Sequence, residues 1–232
     1  MLGTLLNLLS VIRRIRFAPQ PAPLPRSSEV RMTITDARVA GLLQAGDLLL
    51  FRGVVFSWRD PRTYTSKLIC IASRGIHSHA AKLAFWGGLP FVAEVREMVG
   101  GRIVTLDSQV RRYPGRIDVY QANWRNCHAE FNRVGVVRYM LELAGCSYGW
   151  RSLLAAAPLH LPFIRWRVTP NVDDASRPVG MPFCSQACAM ADRIGGGVDV
   201  VPNLADEITE PGDMARSDFY RYAFTLIPEA VA

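Results

Sequence analysis

The sequence predicts an α+β protein. Short apolar segments punctuated by glycine fill the middle of the chain, as in "HAAKLAFWGGLPFVAEVREMVGGRIVTL". Helical spacing of apolar residues returns only later, around "FNRVGVVRYMLELAG" and "FCSQACAMADRI". Antiparallel strands clustered centrally, with helices around them, give this class. At 232 residues, half of them apolar and a fifth charged, the chain is long enough for one well-buried core.

At the amino end, Leu2, Leu5, Leu9 and Ile12 have helical spacing, so an amphipathic helix is expected there. Arg13, Arg14 and Arg16 follow this apolar run instead of preceding it, and no small-residue cleavage site is evident. A cleavable signal peptide is therefore not expected. The run is also shorter than the ~20 apolar residues that a bilayer span needs. Pro19, Pro21, Pro23 and Pro25 alternate in a stiff, extended linker. Residues 1–26 thus read as a helix and linker able to dock on a partner assembly, such as a phage particle, on a membrane surface, or on the protein's own core. Residues 27–232 read as the folded domain.

Along that domain, "TDARVAGLLQAGD" predicts a short helix capped by Thr35 or Asp36 and stopped near Gly46. "DLLLFRGVVF" predicts a buried strand or hairpin, and "SKLICIASRG" a short helix. Three strands follow, with turns at Gly87–Gly88 and Gly100–Gly101, and then a strand in "GRIDVYQA". Phe131, Val134, Val137, Leu141 and Ala144 keep near-helical spacing up to the stop at Gly145. Pro158 and Pro162 break "LLAAAPLHLPFIRWRV" into a loop or lid. "FCSQACAMADRI" is a helix ending before Gly195–Gly197. "TEPGDMARSDFYRY" opens another, with Thr209 as cap and Pro211 early.

The net charge of +7, nearly all of its cationic part arginine, favours anionic partners. No dense basic run with interleaved aromatics points to nucleic acid, and no specific nucleic-acid partner is expected. Five cysteines, none in a CxxC pair, fit synthesis in a reducing compartment better than a disulfide framework. Cytoplasmic synthesis is the expectation, with membrane or virion association as further options.

Cys184 follows Pro182 and opens a helical pattern. Unpaired N–H groups at a helix start favour a thiolate and can face a developing oxyanion. Cys188, one turn deeper, reads as packing, like Ala187 and Ala191. A metal reading would join both cysteines to His77 and His79. Zinc ligands commonly pair as CxxC or HxxxH, and neither spacing is present. His77 and His79 are expected to face opposite ways, one in and one out, so no metal or other cofactor is assigned. A nucleophilic cysteine needs an imidazole and a third group to orient it. His79 opens an apolar strand, and Glu94 lies in the next strand across Gly87–Gly88, where an uncompensated carboxylate among Val92, Ala93 and Val95 needs a partner. Glu97, at an odd offset from Glu94, is expected to face away. The competing reading is a structural His–Glu pair beside an inert thiol.

"GDLLLF", "HSHAAKL", "FVAEV", "GCSYGW" and "FCSQA", in this order, resemble the circularly permuted branch of the NlpC-type papain-like amidases, over roughly Leu43 to Tyr222. The resemblance implies a permuted papain-like fold, with Cys184 as nucleophile, His79 as base and Glu94 as orienting acid. Gln186 stands where glutamate is common, and Ala80–Ala81 replace a usual Val-Gly; neither change removes a catalytic atom. It further implies a cysteine amidase or peptidase, with peptide bonds such as those of murein as substrates. Other readings of the same fold are a weakly active or inactive docking module and an acyltransferase or acyl hydrolase acting on lipids, as in lecithin:retinol acyltransferase-like enzymes.

Overall fold

A computed structural model describes residues 15–17, 29–54, 62–122, 130–149, 166–168, 181–202, 204–206 and 209–229. Strands are β1 (Ile15–Phe17), β2 (Arg31–Met32), β3 (Leu48–Arg52), β4 (His77–Trp86), β5 (Leu89–Arg96), β6 (Gly100–Thr105), β7 (Ile117–Ala122), β8 (Trp166–Val168) and β9 (Tyr220–Leu226). Helices are α1 (Ile34–Val39), α2 (Arg62–Ala72), α3 (Leu106–Arg112), α4 (Arg133–Glu142), α5 (Cys184–Met190) and α6 (Pro211–Arg216). A π-helical turn, Ala191–Gly195, continues α5.

Seven strands form one sheet in the order β2-β9-β7-β3-β4-β5-β6. It is mixed and not wholly antiparallel as expected, because β2 joins β9 in parallel while every other ladder is antiparallel. Both faces are covered. Leu48, Leu50, Ala80 and Ala93 pack under Val136 of α4 and Ala187 of α5, whereas Leu49, Phe51, Ala81 and Val92 pack under Ala37 of α1 and Leu106 of α3. That double burial explains why "LLLF" is a continuous apolar run instead of an alternating one. Leu48, Leu49, Leu50 and Phe51 are fully buried, each contributing about 1.5–3 kcal/mol of apolar transfer.

Local chemistry places most element ends. Gly87 and Gly88 both have positive φ, 56° and 76°, as a tight β4–β5 hairpin demands. The β5–β6 turn comes slightly earlier than Gly100–Gly101, with Met98 itself at φ 67°. The first helix begins earlier than expected too. Thr33 is the cap, its Oγ1 accepting from Asp36 N at 3.1 Å, and the helix stops before Gly41 (φ 64°), far short of Gly46. Likewise Glu210, not Thr209, caps α6; Thr209 Oγ1 instead donates to Ala205 O at 2.9 Å. The tail after Ser217 turns from helix to strand and enters the sheet as β9 between β2 and β7.

The amphipathic helix expected at Leu2–Ile12 and the proline linker lie outside the described residues. Ile15–Phe17, within the expected amino-terminal segment, pair as an antiparallel two-stranded sheet with Trp166–Val168. The rest of the expected loop between Leu153 and Arg165 lies outside the described residues. No helix of the described residues is long and apolar enough to cross a membrane.

Candidate active site

Cys184 is the first residue of α5, with Phe183 as N-cap in extended backbone. The helix start is tied down on both sides. Phe183 N donates to Gln186 Oε1 at 3.3 Å, so the glutamine amide performs the reach-back expected of a glutamate in a capping box. Ser185 Oγ donates to the Thr209 carbonyl at 2.8 Å. Pro182 O accepts from Gly149 N at 3.1 Å, which holds the strand-like approach to Cys184 against the segment carrying Tyr148.

His79 and Glu94 come from adjacent strands but are not ladder partners. The β4–β5 ladder runs from Trp86↔Leu89 only as far as Lys82↔Ala93. Beyond it, His79 Nε2 meets Glu94 Oε2 at 2.6 Å, with both side chains buried. Glu94 lies opposite Arg102 in the β5–β6 register, and Arg102 grips Oε1 through Nε at 2.7 Å and Nη2 at 2.5 Å. Burial alone would raise the Glu94 carboxyl, yet His79 and Arg102 hold it down at about 2. The Phe51 ring meets the imidazole edge-on, 4.9 Å between centroids, and limits its rotation.

The second ring nitrogen of His79, Nδ1, makes no hydrogen bond of ordinary geometry among the described residues. Cys184 nonetheless acts on the ring as a charge. Burial disfavours the imidazolium, but Cys184 and Glu94 outweigh it and raise His79 to about 10. The imidazole therefore carries its proton at neutral pH. Tyr148 also feels the charge of Cys184. Burial, Cys184 and Glu97 push its phenol far above the ordinary range, so its proton is retained as a donor.

The structure thus joins His79 to Glu94 by a hydrogen bond and brings the charge of Cys184 to act on the same ring. Glu97 lies past the end of β5 and acts on Tyr148 and Tyr113 rather than on the imidazole. Cys188 is fully buried in the core, where burial raises its thiol beyond the ordinary range. The expectation that one of His77 and His79 faces outward is corrected: both are buried, because helices cover both faces of the sheet, and a register shift in the β3–β4 ladder pairs His79 with Phe51 and His77 with Arg52. They have different partners. His77 Nε2 lies 2.8 Å from Asp118 Oδ2, within a network in which Arg52 and Thr225 also hold Asp118. Among the described residues no group of three or more His, Cys, Asp or Glu could hold a metal ion.

Two members of this group carry no sequence signal of their own role. Arg102 stands in the alternating strand "GRIVT", where an arginine reads as a solvated residue until the β5–β6 register is known. Tyr148 belongs to "YGW", which the family resemblance marks only as a region before the nucleophile.

No family model matches the chain, and a search of curated proteins finds no match. Among solved structures, the chain is similar to the crystal structure of the metalloprotein yiiX from Escherichia coli O157:H7, at 15% identity and a TM-score of 0.46. The likeness covers 80% of this chain and 98% of that one.

Proposed function

We propose that the protein is a cysteine hydrolase with a permuted papain-like arrangement, cleaving an amide or peptide bond such as those of murein peptides. The observation that carries this reading is His79, a single buried imidazole held by Glu94 on one side and coupled to Cys184 at a helix start on the other. Cys184 sulfur attacks the substrate carbonyl, its proton residing on His79. Backbone N–H groups at the start of α5 and the Tyr148 phenol face the developing oxyanion. The C–N bond then breaks, His79 delivers its proton to the leaving amine, and the acyl group stays on Cys184 as a thioester. Water, losing a proton to His79, hydrolyses the thioester and restores the thiol. Glu94 holds the ring in orientation throughout, and Arg102 holds Glu94.

The test is alkylation by iodoacetamide at pH 6 with peptide mapping, followed by incubation with murein stem peptides. Labelling of Cys184 ahead of the other cysteines, and peptide cleavage abolished by Cys184→Ala, are the expected results. Uniform slow labelling of all cysteines would overturn the reading.

A further inference from the structure

Behind the site lies a second buried polar group that the chemistry above does not use. Lys82 of β4 is fully buried, and its Nζ donates to both oxygens of Asp192, at 2.7 and 2.8 Å, and to Tyr220 Oη at 2.5 Å. Tyr220 Oη in turn donates to Asp192 Oδ2 at 2.5 Å, and the ammonium also lies over the tyrosine ring. Asp192 is fully buried and sits in the π-helical turn that continues α5. A second pair, with its carboxylate buried and its guanidinium partly exposed, adjoins it: Asp47 Oδ1 accepts from Arg133 Nη1 at 2.8 Å and also feels the charge of Lys82. The charges balance, two cations against two carboxylates.

Such a cluster is a poor source of stability. Desolvating an ion pair costs about as much as the pairing returns, and an apolar replacement of similar shape is often neutral or stabilising. What a buried pair does supply is register, because a shifted partner leaves a bare charge in the core. Its position gives that register a use. Lys82 and His79 lie on the same strand, about 10 Å apart at ~3.3 Å per residue. Asp192 and Cys184 lie on the same helical run, about 12 Å apart at ~1.5 Å per residue. The helical run is therefore pinned to the strand by Asp192 on Lys82, and the same run carries Cys184 at its other end. The contacts between them are small residues, Ala80, Ala187, Cys188 and Ala191, which pack closely but offer little resistance to sliding. The π turn is itself a break in helical regularity of a kind found often at functional sites.

We infer that Lys82, Asp192 and Tyr220 are positioning residues that fix the sliding register of the nucleophile helix on the histidine strand. The inference rests on the reading of Cys184 and His79 as a working pair. A single change such as Lys82→Met strands Asp192 as an uncompensated buried charge and threatens folding. The test therefore uses the apolar triple variant Lys82→Met/Asp192→Leu/Tyr220→Phe, which leaves the Asp47–Arg133 pair intact. The measurements are thermal unfolding and the rate of Cys184 alkylation by iodoacetamide from pH 5 to 9, in the full chain. The expected result is a folded variant with at least the wild-type Tm, whose Cys184 reacts about 10- to 100-fold more slowly at pH 6. Its dependence on pH should also differ from that of the wild type. A folded variant with the wild-type rate and pH profile would overturn the inference. So would a variant that fails to fold, since a pair that only positions is dispensable to the core. Wild-type protein reports on the underlying reading separately. If wild-type Cys184 is not preferentially labelled at pH 6, that reading fails and this inference with it; if it is labelled and the triple variant matches it, only this inference fails.

Discussion

Glu94 Oε2 stands 2.6 Å from His79 Nε2, and this contact fixes which ring nitrogen is left to face Cys184. Glu94→Gln keeps the shape but removes the charge that stabilises the imidazolium, and its amide can present the wrong group to Nε2. Hydrolysis of the murein peptide should fall about 10²- to 10⁴-fold, less than for Cys184→Ala. Glu97→Gln should change turnover by only a few-fold. Steady-state kinetics on the three variants checks the order, and a greater loss at Glu97 than at Glu94 would contradict it.

The His79 titration gives a stability signature on the alkaline side. Its pKa is raised from 6.5 to about 10 against the opposing effect of burial, by Cys184 and Glu94. A raised folded pKa contributes stability that is complete below 6.5 and lost as pH rises towards 10. Urea unfolding between pH 6 and 10 should show this decline. In Cys184→Ala the decline should shrink, and the His79 ring resonances should titrate at lower pH by NMR. An unchanged midpoint in Cys184→Ala would mean that the thiol does not act on the ring.

On the acid side the sign reverses. Burial opposes the Glu94 carboxylate, but His79 and Arg102 bring its pKa from 4.5 down to about 2. That contribution is complete above 4.5 and lost as pH falls towards 2. Arg102→Met removes the nearer of the two arginines that pair with Glu94, so the acid loss should begin at higher pH than in wild type. Unfolding free energies at pH 3 and pH 6 test this; equal pH dependence in both proteins would show that Arg102 does not support the carboxylate.

Tyr148→Phe removes a phenol whose proton is held by burial and by Cys184. If that proton serves the oxyanion, turnover should fall about 10²- to 10³-fold, as on loss of an oxyanion donor. Cys184 alkylation, which develops no tetrahedral oxyanion, should change much less. Parallel losses in both measurements would assign Tyr148 to the thiol itself.

Gly149→Ala tests the approach to the nucleophile. An added Cβ would come within 1.9 Å of the Met181 carbonyl, and backbone cannot yield as a flexible side chain does. The Met181–Phe183 segment should move, lowering stability by about 1–3 kcal/mol in urea unfolding and slowing Cys184 alkylation. Gly87→Ala, where a Cβ meets nothing within 4 Å but φ is 56°, should slow alkylation far less.

Local sequence by itself determined the elements whose signals are local. The Gly87–Gly88 hairpin, the buried run at Leu48–Phe51 and the helix opening at Cys184 follow from φ preferences, apolar patterning and capping within a few residues. The pairing of His79 with Glu94 was also foreseeable, because a carboxylate among valines requires a partner and one hairpin turn limits the choice. Helix caps at Thr33 and Glu210 were displaced because several cap-forming residues stand together and packing selects among them. The conversion of "FYRYAFTL" to β9 needed β2 and β7 as neighbours. Only the tertiary structure decided that Arg102 holds Glu94, that the charge of Cys184 acts on Tyr148, that His77 is buried on Asp118, and that Lys82 meets Asp192. Each of these depends on strand register or on how a helix lies on the sheet. Both are set by burial of two apolar faces at once, so residues far apart in the chain become charge partners only after the core has closed.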